Sequence, residues 1–158
     1  MAFQRTFLTK TVVVFAVLLT VAVASAWSSA AAQESQPASK TLRLFVSYTG
    51  TGTVDPEHRI HAFVFDTPQI NAGSMPIAWD STSSSGTPMV FTVSQPSVWV
   101  AVVFDKEGGY NPSVGPPLPG TPVALYSPTD PNGPTAISFG DRQELDVKFS
   151  FDDSILMP

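Results

Sequence analysis

Residues 41–158 predict an all-β fold, an antiparallel two-sheet sandwich of seven to eight short strands. Three observations carry this. The chain has 15 prolines among 158 residues, and they interrupt nearly every window long enough for a helix. A proline inside a helix costs about 3 kcal/mol. Apolar and polar residues alternate at period two in several segments, and turn-forming clusters return about every ten residues.

Thr41 to Tyr48 alternates Leu42, Leu44, Val46 and Tyr48 against Arg43 and Ser47. Arg59 to Phe65 is dense in aromatic and β-branched residues, and Pro76 to Trp79 is a weaker strand. A Ser/Gly-rich loop, Ser81 to Thr87, leads into Met89 to Val93. Ser97 to Phe104 is apolar on both faces and is expected to be a central strand covered on both sides. Val123 to Tyr126 and Ala136 to Phe139 are short strands between proline-rich turns, of which Asp130-Pro131-Asn132-Gly133-Pro134 is the strongest. In Glu144 to Phe151, Leu145, Val147, Phe149 and Phe151 point one way and Glu144, Asp146, Lys148 and Ser150 the other, which predicts one face on a core and one in water.

The N-terminus reads as a signal peptide over residues 1–32. Arg5 and Lys10 supply the positive region, Thr11 to Val23 the apolar one, and small residues offer cleavage after Ala26 or Ala32. The apolar run is shorter than the ~20 residues of a spanning helix, which favours cleavage over a retained anchor. No cysteine follows for a lipid anchor, and no twin-Arg pair precedes. The expected location is therefore secreted or periplasmic, with no membrane contact after cleavage. Residues 33–40 form a polar tether with nothing apolar to bury, and 41–158 a single domain.

Charged residues are only 13% of the chain, hydrophobic ones 43%, and cysteine is absent. That excludes a disulfide scaffold and a Cys-ligated metal site, and it disfavours a charge-driven disordered chain. Residues 33–158 carry six bases against thirteen acids, a net charge of −7. Such a chain has no electrostatic footprint for nucleic acid or anionic lipid.

Gly52-Thr53-Val54 before a strand, a Thr/Ser/Gly loop with Phe91-Thr92-Val93, and an apolar strand ending in Val103-Phe104-Asp105 resemble a known pattern. It is that of prealbumin-like (transthyretin-like, carboxypeptidase-regulatory-like) modules of exported bacterial proteins, over about Thr41 to Phe151. The strand pattern fits an immunoglobulin-like or a prealbumin-like sandwich; the resemblance implies a seven-strand one that serves as a binding or structural module and seldom as an enzyme.

Three places in the chain could carry chemistry. Glu57-His58-Arg59-Ile60-His61 holds both histidines. A small hydrolase or metal enzyme would centre on His58, Arg59 and His61. The two histidines are three residues apart, so on a strand their rings point to opposite faces, whereas the His-x-His of the intradiol dioxygenases, on a similar sandwich, puts both on one. The Tyr-Arg-Gly-Ser ending of the transthyretin-related hydroxyisourate hydrolases is also missing. The plainer expectation is a loop His58 and a surface His61 beside Arg59. No Gly-x-Ser-x-Gly elbow is present.

Three strands end in Phe-Asp, at Asp66, Asp105 and Asp152, with Glu107 and Asp153 nearby. If these acids converged at one pole they could hold Ca²⁺ in a metal-dependent binding module; otherwise they solvate strand ends. The parity of antiparallel strands opposes convergence of all three.

Asp105 to Pro122 is a long loop stiffened by five prolines, with a hinge at Gly108-Gly109 and apolar anchors at Tyr110, Val114 and Leu118. It reads as a binding loop for a protein or saccharide ligand, or as a rigid cover over the sheet. Trp79, before a polar loop, could stack on a sugar ring; Trp99 is expected in the core. The leading expectation is an exported, non-catalytic binding or structural module without a cofactor.

Overall fold

The computed structural model describes residues 38–71, 73–128 and 133–158. The expected signal peptide, residues 33–37 of the tether and most of the turn at 130–134 lie outside the described residues. Eight strands follow in order: β1 (Lys40–Tyr48), β2 (Ile60–Phe65), β3 (Ala78–Thr82), β4 (Pro88–Val93), β5 (Ser97–Phe104), β6 (Val123–Leu125), β7 (Ile137–Ser138) and β8 (Glu144–Phe151). Among the described residues there is no helix. The outcome is a sandwich-like all-β fold.

One sheet has three strands in the order β4-β1-β8; the other has five, β3-β2-β5-β6 with β7 also paired to β5. Among the described residues all pairings are antiparallel except one. β1 and β8 run parallel over Thr41↔Glu144 to Tyr48↔Phe151, which corrects the wholly antiparallel expectation. A parallel pair needs a long crossover, and here β2 to β7, the five-stranded sheet together with β4, supply it.

The inner faces enclose one core, in which Leu42, Leu44 and Val46 of β1 meet Val98, Val100 and Val102 of β5, all fully buried. Each such side chain contributes about 1.5–3 kcal/mol of burial. β1 lies at the centre of its sheet, so every second residue is sealed, while Arg43 on the other face pairs with Asp146 at 2.7 Å.

All six residues of β2 are buried. Ile60, Ala62 and Val64 face the main core, while Phe63 and Phe65 belong to a second cluster on the outer face of the larger sheet. Val103 joins that cluster, and Ile70, Trp99, Ala101, Tyr110 and Val123 pack on it. Trp99 therefore sits on this outer layer rather than in the main core. Lys40 begins β1 instead of closing the tether. The third strand lies at Ala78–Thr82 rather than at Pro76 to Trp79, because its pairing with Ile60–Val64 draws polar Asp80, Ser81 and Thr82 into the sheet.

Candidate functional site

The outer face of the five-stranded sheet and the loop that crosses it are the most developed surface feature. Asp105, directly after β5, is 7% exposed. Its own N–H donates to the Arg59 carbonyl at 2.9 Å. Its carboxylate accepts the Gly108 N–H at 3.0 Å and the Tyr110 N–H at 2.7 Å. The chain can fold back on one carboxylate this tightly because Gly108 and Gly109 both adopt positive φ, 78° and 84°, which other residues avoid. Tyr110 then lies on the sheet and donates its hydroxyl to the Gly115 carbonyl at 3.2 Å. The loop closes where Phe104 N–H donates to Pro122 O at 2.9 Å. The C-terminal tail fastens its far end, with Gly120 N–H on Met157 O and Met157 N–H on Thr121 O, both at 2.9 Å.

The expected anchors divide. Tyr110 packs on the sheet, but Val114 and Leu118 are 84% and 67% exposed, which corrects the expectation that all three hold the loop down. Trp79 is half-exposed on edge strand β3, opposite Phe63.

Beneath Tyr110 lies His61, the largest departure from the sequence reading. It is 4% exposed rather than on the surface, and its ring meets that of Tyr110 edge-on at 5.0 Å. Neither ring nitrogen has a hydrogen-bond partner. Desolvation holds its pKa below the ordinary value, aided by Arg59 and opposed by Asp105. Burial, and then the Asp105 charge, raise that of Tyr110.

His58 serves a separate turn. Asp55 accepts the Glu57 and His58 N–H groups at 2.9 and 2.8 Å and holds the His58 Nδ1 at 2.9 Å. These contacts, led by the His58 N–H, lower the Asp55 pKa. Arg59 is exposed and donates to the Pro56 carbonyl at 3.0 Å. His58, Arg59 and His61 thus have different partners. Two depressions of about 390 and 270 Å³ lie on other surfaces, the first lined by Phe45, Ser47, Gly86, Lys148, Phe149 and Ser150, and neither is lined by the histidines.

The acids are distributed by topology. β2 and β5 are antiparallel, so Asp66 and Asp105 stand at opposite ends of the sandwich. Glu107 is exposed, and Asp152 accepts the Ser154 N–H at 2.9 Å. Asp153 accepts the hydroxyls of Tyr48 and Thr51 and the Thr51 N–H, with Lys106 Nζ at 3.8 Å. Those donors lower its pKa to about 2. Burial, reinforced by Asp153, drives the Tyr48 phenol well above its usual range. No group of three or more His, Asp or Glu among the described residues could hold a metal ion.

This tie of β1 to the tail was not read from the sequence; Gly50-Thr51-Gly52 after a strand-ending Tyr48 was its one signal. A β-carbon on Gly50 would stand 2.7 Å from Asp153 Oδ1 and against the Tyr48 ring. Gly50→Ala is expected to break the tie and lower stability by about 1–2 kcal/mol in urea denaturation, the cost of a forced fit. An unchanged midpoint would count against the tie.

Among the described residues no helix is long and apolar enough to cross a membrane. Comparison with protein families, curated proteins and solved structures returned no match to this chain.

Proposed function

We propose that this chain is an exported, non-catalytic module, secreted or periplasmic, whose proline-stiffened loop presents an apolar surface to a protein ligand. The observation that carries the reading is the division of labour inside Asp105–Pro122. One end is fastened down by Asp105 and Tyr110, while Val114 and Leu118 are held out in water. Exposed aliphatic side chains on a stiff, tethered loop lose little entropy on binding. The absence of nucleic acid from the expected ligands follows from the net charge of −7 in residues 33–158.

The prealbumin-like reading draws support from the two-sheet division, with the first and last long strands paired in parallel. A non-catalytic role draws support from the separate partners of His58, Arg59 and His61. A reaction centre needs such groups to converge on one point. The Ca²⁺-dependent alternative lacks that convergence among the described residues. A saccharide is the second reading, because Trp79 is 47% exposed on a sheet edge.

Val114→Asp with Leu118→Asp tests the proposal. Both sites are exposed, so stability is expected to stay within about 0.5 kcal/mol. Binding to peptide and glycan panels is expected to be saturable in the wild type and at least about tenfold weaker in the double variant, a difference of about 1.4 kcal/mol. Loss only in Trp79→Ala would favour the saccharide reading. No binding, or binding indifferent to all three changes, would defeat the proposal.

A further inference from the structure

The two sheets have four edges: β3, β4, β6 with the two-residue β7 beside it, and β8. Three of the four edges are blunted. The C-terminal tail lies along β6, with Val123 N–H on Ile155 O at 2.9 Å and a bridge between Pro122 and Leu156. β4 opens with Pro88, and β3 is five residues long with Asp80 at its centre. β8 has eight residues, no proline and no glycine, and among the described residues it pairs with β1 alone.

The open side of β8 follows from its bonds to β1. The carbonyls of Gln143 and Phe151 accept from Thr41 and Thr49 N–H groups at 2.7 and 2.9 Å. In a parallel pair a residue's N–H and C=O point to the same side. The odd-numbered residues of β8 therefore address β1, and Glu144, Asp146, Lys148 and Ser150 turn their main-chain groups outward. Leu145 and Phe149 are only half-buried although they point into the sandwich, as expected along an open flank.

We infer that this edge is an interface with a second copy of the chain, the two β8 strands pairing antiparallel about a two-fold axis at Val147. In that register Asp146 of each chain faces Lys148 of the other, twice over. Glu144 faces Ser150, Leu145 faces Phe149, and Val147 faces itself. Residues of the same parity oppose each other, so outward main-chain groups meet outward ones and apolar side chains stay on the inner face.

The neighbouring registers are disfavoured. Centring on Asp146 or on Lys148 sets like charges directly opposite. Both charged side chains are already positioned: Asp146 by Arg43 at 2.7 Å, and Lys148 over the Phe45 ring at 5.3 Å. The second chain's Lys148 would extend the Arg43–Asp146 pair, and the two three-stranded sheets would become one continuous sheet.

Sedimentation equilibrium of the purified protein and two charge variants tests this. The wild type is expected to dimerise reversibly. Lys148→Asp and Asp146→Lys, each placing like charges opposite, are expected to weaken the dimer by about tenfold or more. An equimolar mixture of the two variants restores opposite charges at every position and is expected to recover the dimer. A wild type monomeric at every soluble concentration would overturn the inference, as would variants that associate like the wild type or a mixture that recovers nothing. Amide exchange on the wild type gives a reading independent of how the variants fold. The N–H groups of residues 144, 146, 148 and 150 are expected to exchange more slowly at high protein concentration, and equal rates would overturn the interface.

Discussion

Asp105→Ala is expected to destabilise the protein by about 2–5 kcal/mol, since removing the acceptor leaves two backbone donors with nothing to bond. Both bonds, from Gly108 at 3.0 Å and Tyr110 at 2.7 Å, end on a carboxylate that is 7% exposed. Hydrogen bonds to an ionised acceptor are about twice as strong as neutral ones. Gly108 and Gly109 give the turn its conformation but no side chain that could replace the carboxylate as acceptor. Once the turn opens, Tyr110 leaves the sheet and water reaches Phe63, Val103 and His61. Asp105→Asn keeps one carbonyl acceptor and is expected to fall between wild type and alanine. Urea denaturation measures the loss. Limited proteolysis localises it: new cutting between Lys106 and Tyr110 is expected, with 114–121 cut only after it. A change below about 0.5 kcal/mol, the range of ordinary surface substitutions, would mean the loop does not depend on this carboxylate. The same variant should lose ligand binding if preorganisation of Val114 and Leu118 matters, which separates a binding loop from a simple cover.

Strands with one wet and one dry face were legible in the sequence. Glu144–Phe151 and Ser97–Phe104 carry the bounds expected of them, because alternation or a doubly apolar run is a local property. β3 was misplaced by about two residues because its hydrogen bonds to β2, and not its own polar sequence, decide where it lies. The parallel pairing of β1 with β8 joins residues about a hundred positions apart, and no local pattern encodes it. The loop's rigidity was suggested by its prolines, but which of its apolar residues turns inward depends on the turn at Asp105. The acids illustrate the same limit: their place at strand ends was legible, while Asp153 was claimed by Tyr48 and Thr51, whose proximity only the fold creates. His61 was the costliest misreading. Taken with Glu57, His58 and Arg59 it resembled a polar surface motif. Taken with Phe63 and Phe65 it is the third residue on one face of an otherwise apolar strand, and that grouping predicts burial.

His61→Leu is expected to raise stability by about 2–4 kcal/mol near neutral pH, because it removes two buried nitrogens that lack partners, at about 1–3 kcal/mol for each such group. Loss of the edge-on contact with Tyr110 offsets part of this, by about 0.5–1.5 kcal/mol. The wild type is also expected to weaken in mild acid, with a sign fixed by the direction of the shift. The folded-state pKa of His61 lies below that of the unfolded chain, since burial opposes the charged ring, Arg59 adds to this and Asp105 only partly compensates. The unfolded chain therefore binds a proton first as pH falls. Stability is intact above about 6.5, the unfolded value, and declines below it through the folded pKa. One such group gives a slope of at most about 1.4 kcal/mol per pH unit. The lowered carboxylates act elsewhere: Asp153, held at about 2, loses its contribution only as pH falls below the ordinary carboxylate range. The difference in urea midpoints between the wild type and His61→Leu from pH 8 to 5 thus reads this histidine. If His61→Leu retains the acid slope, or if it destabilises the protein, the ring is solvated or bonded and the sealed arrangement beneath Tyr110 is wrong. If the slope vanishes in His61→Leu, the folded ring is neutral and sealed, and ligand affinity of the loop should hold over that pH range, because only the unfolded chain has taken up the proton.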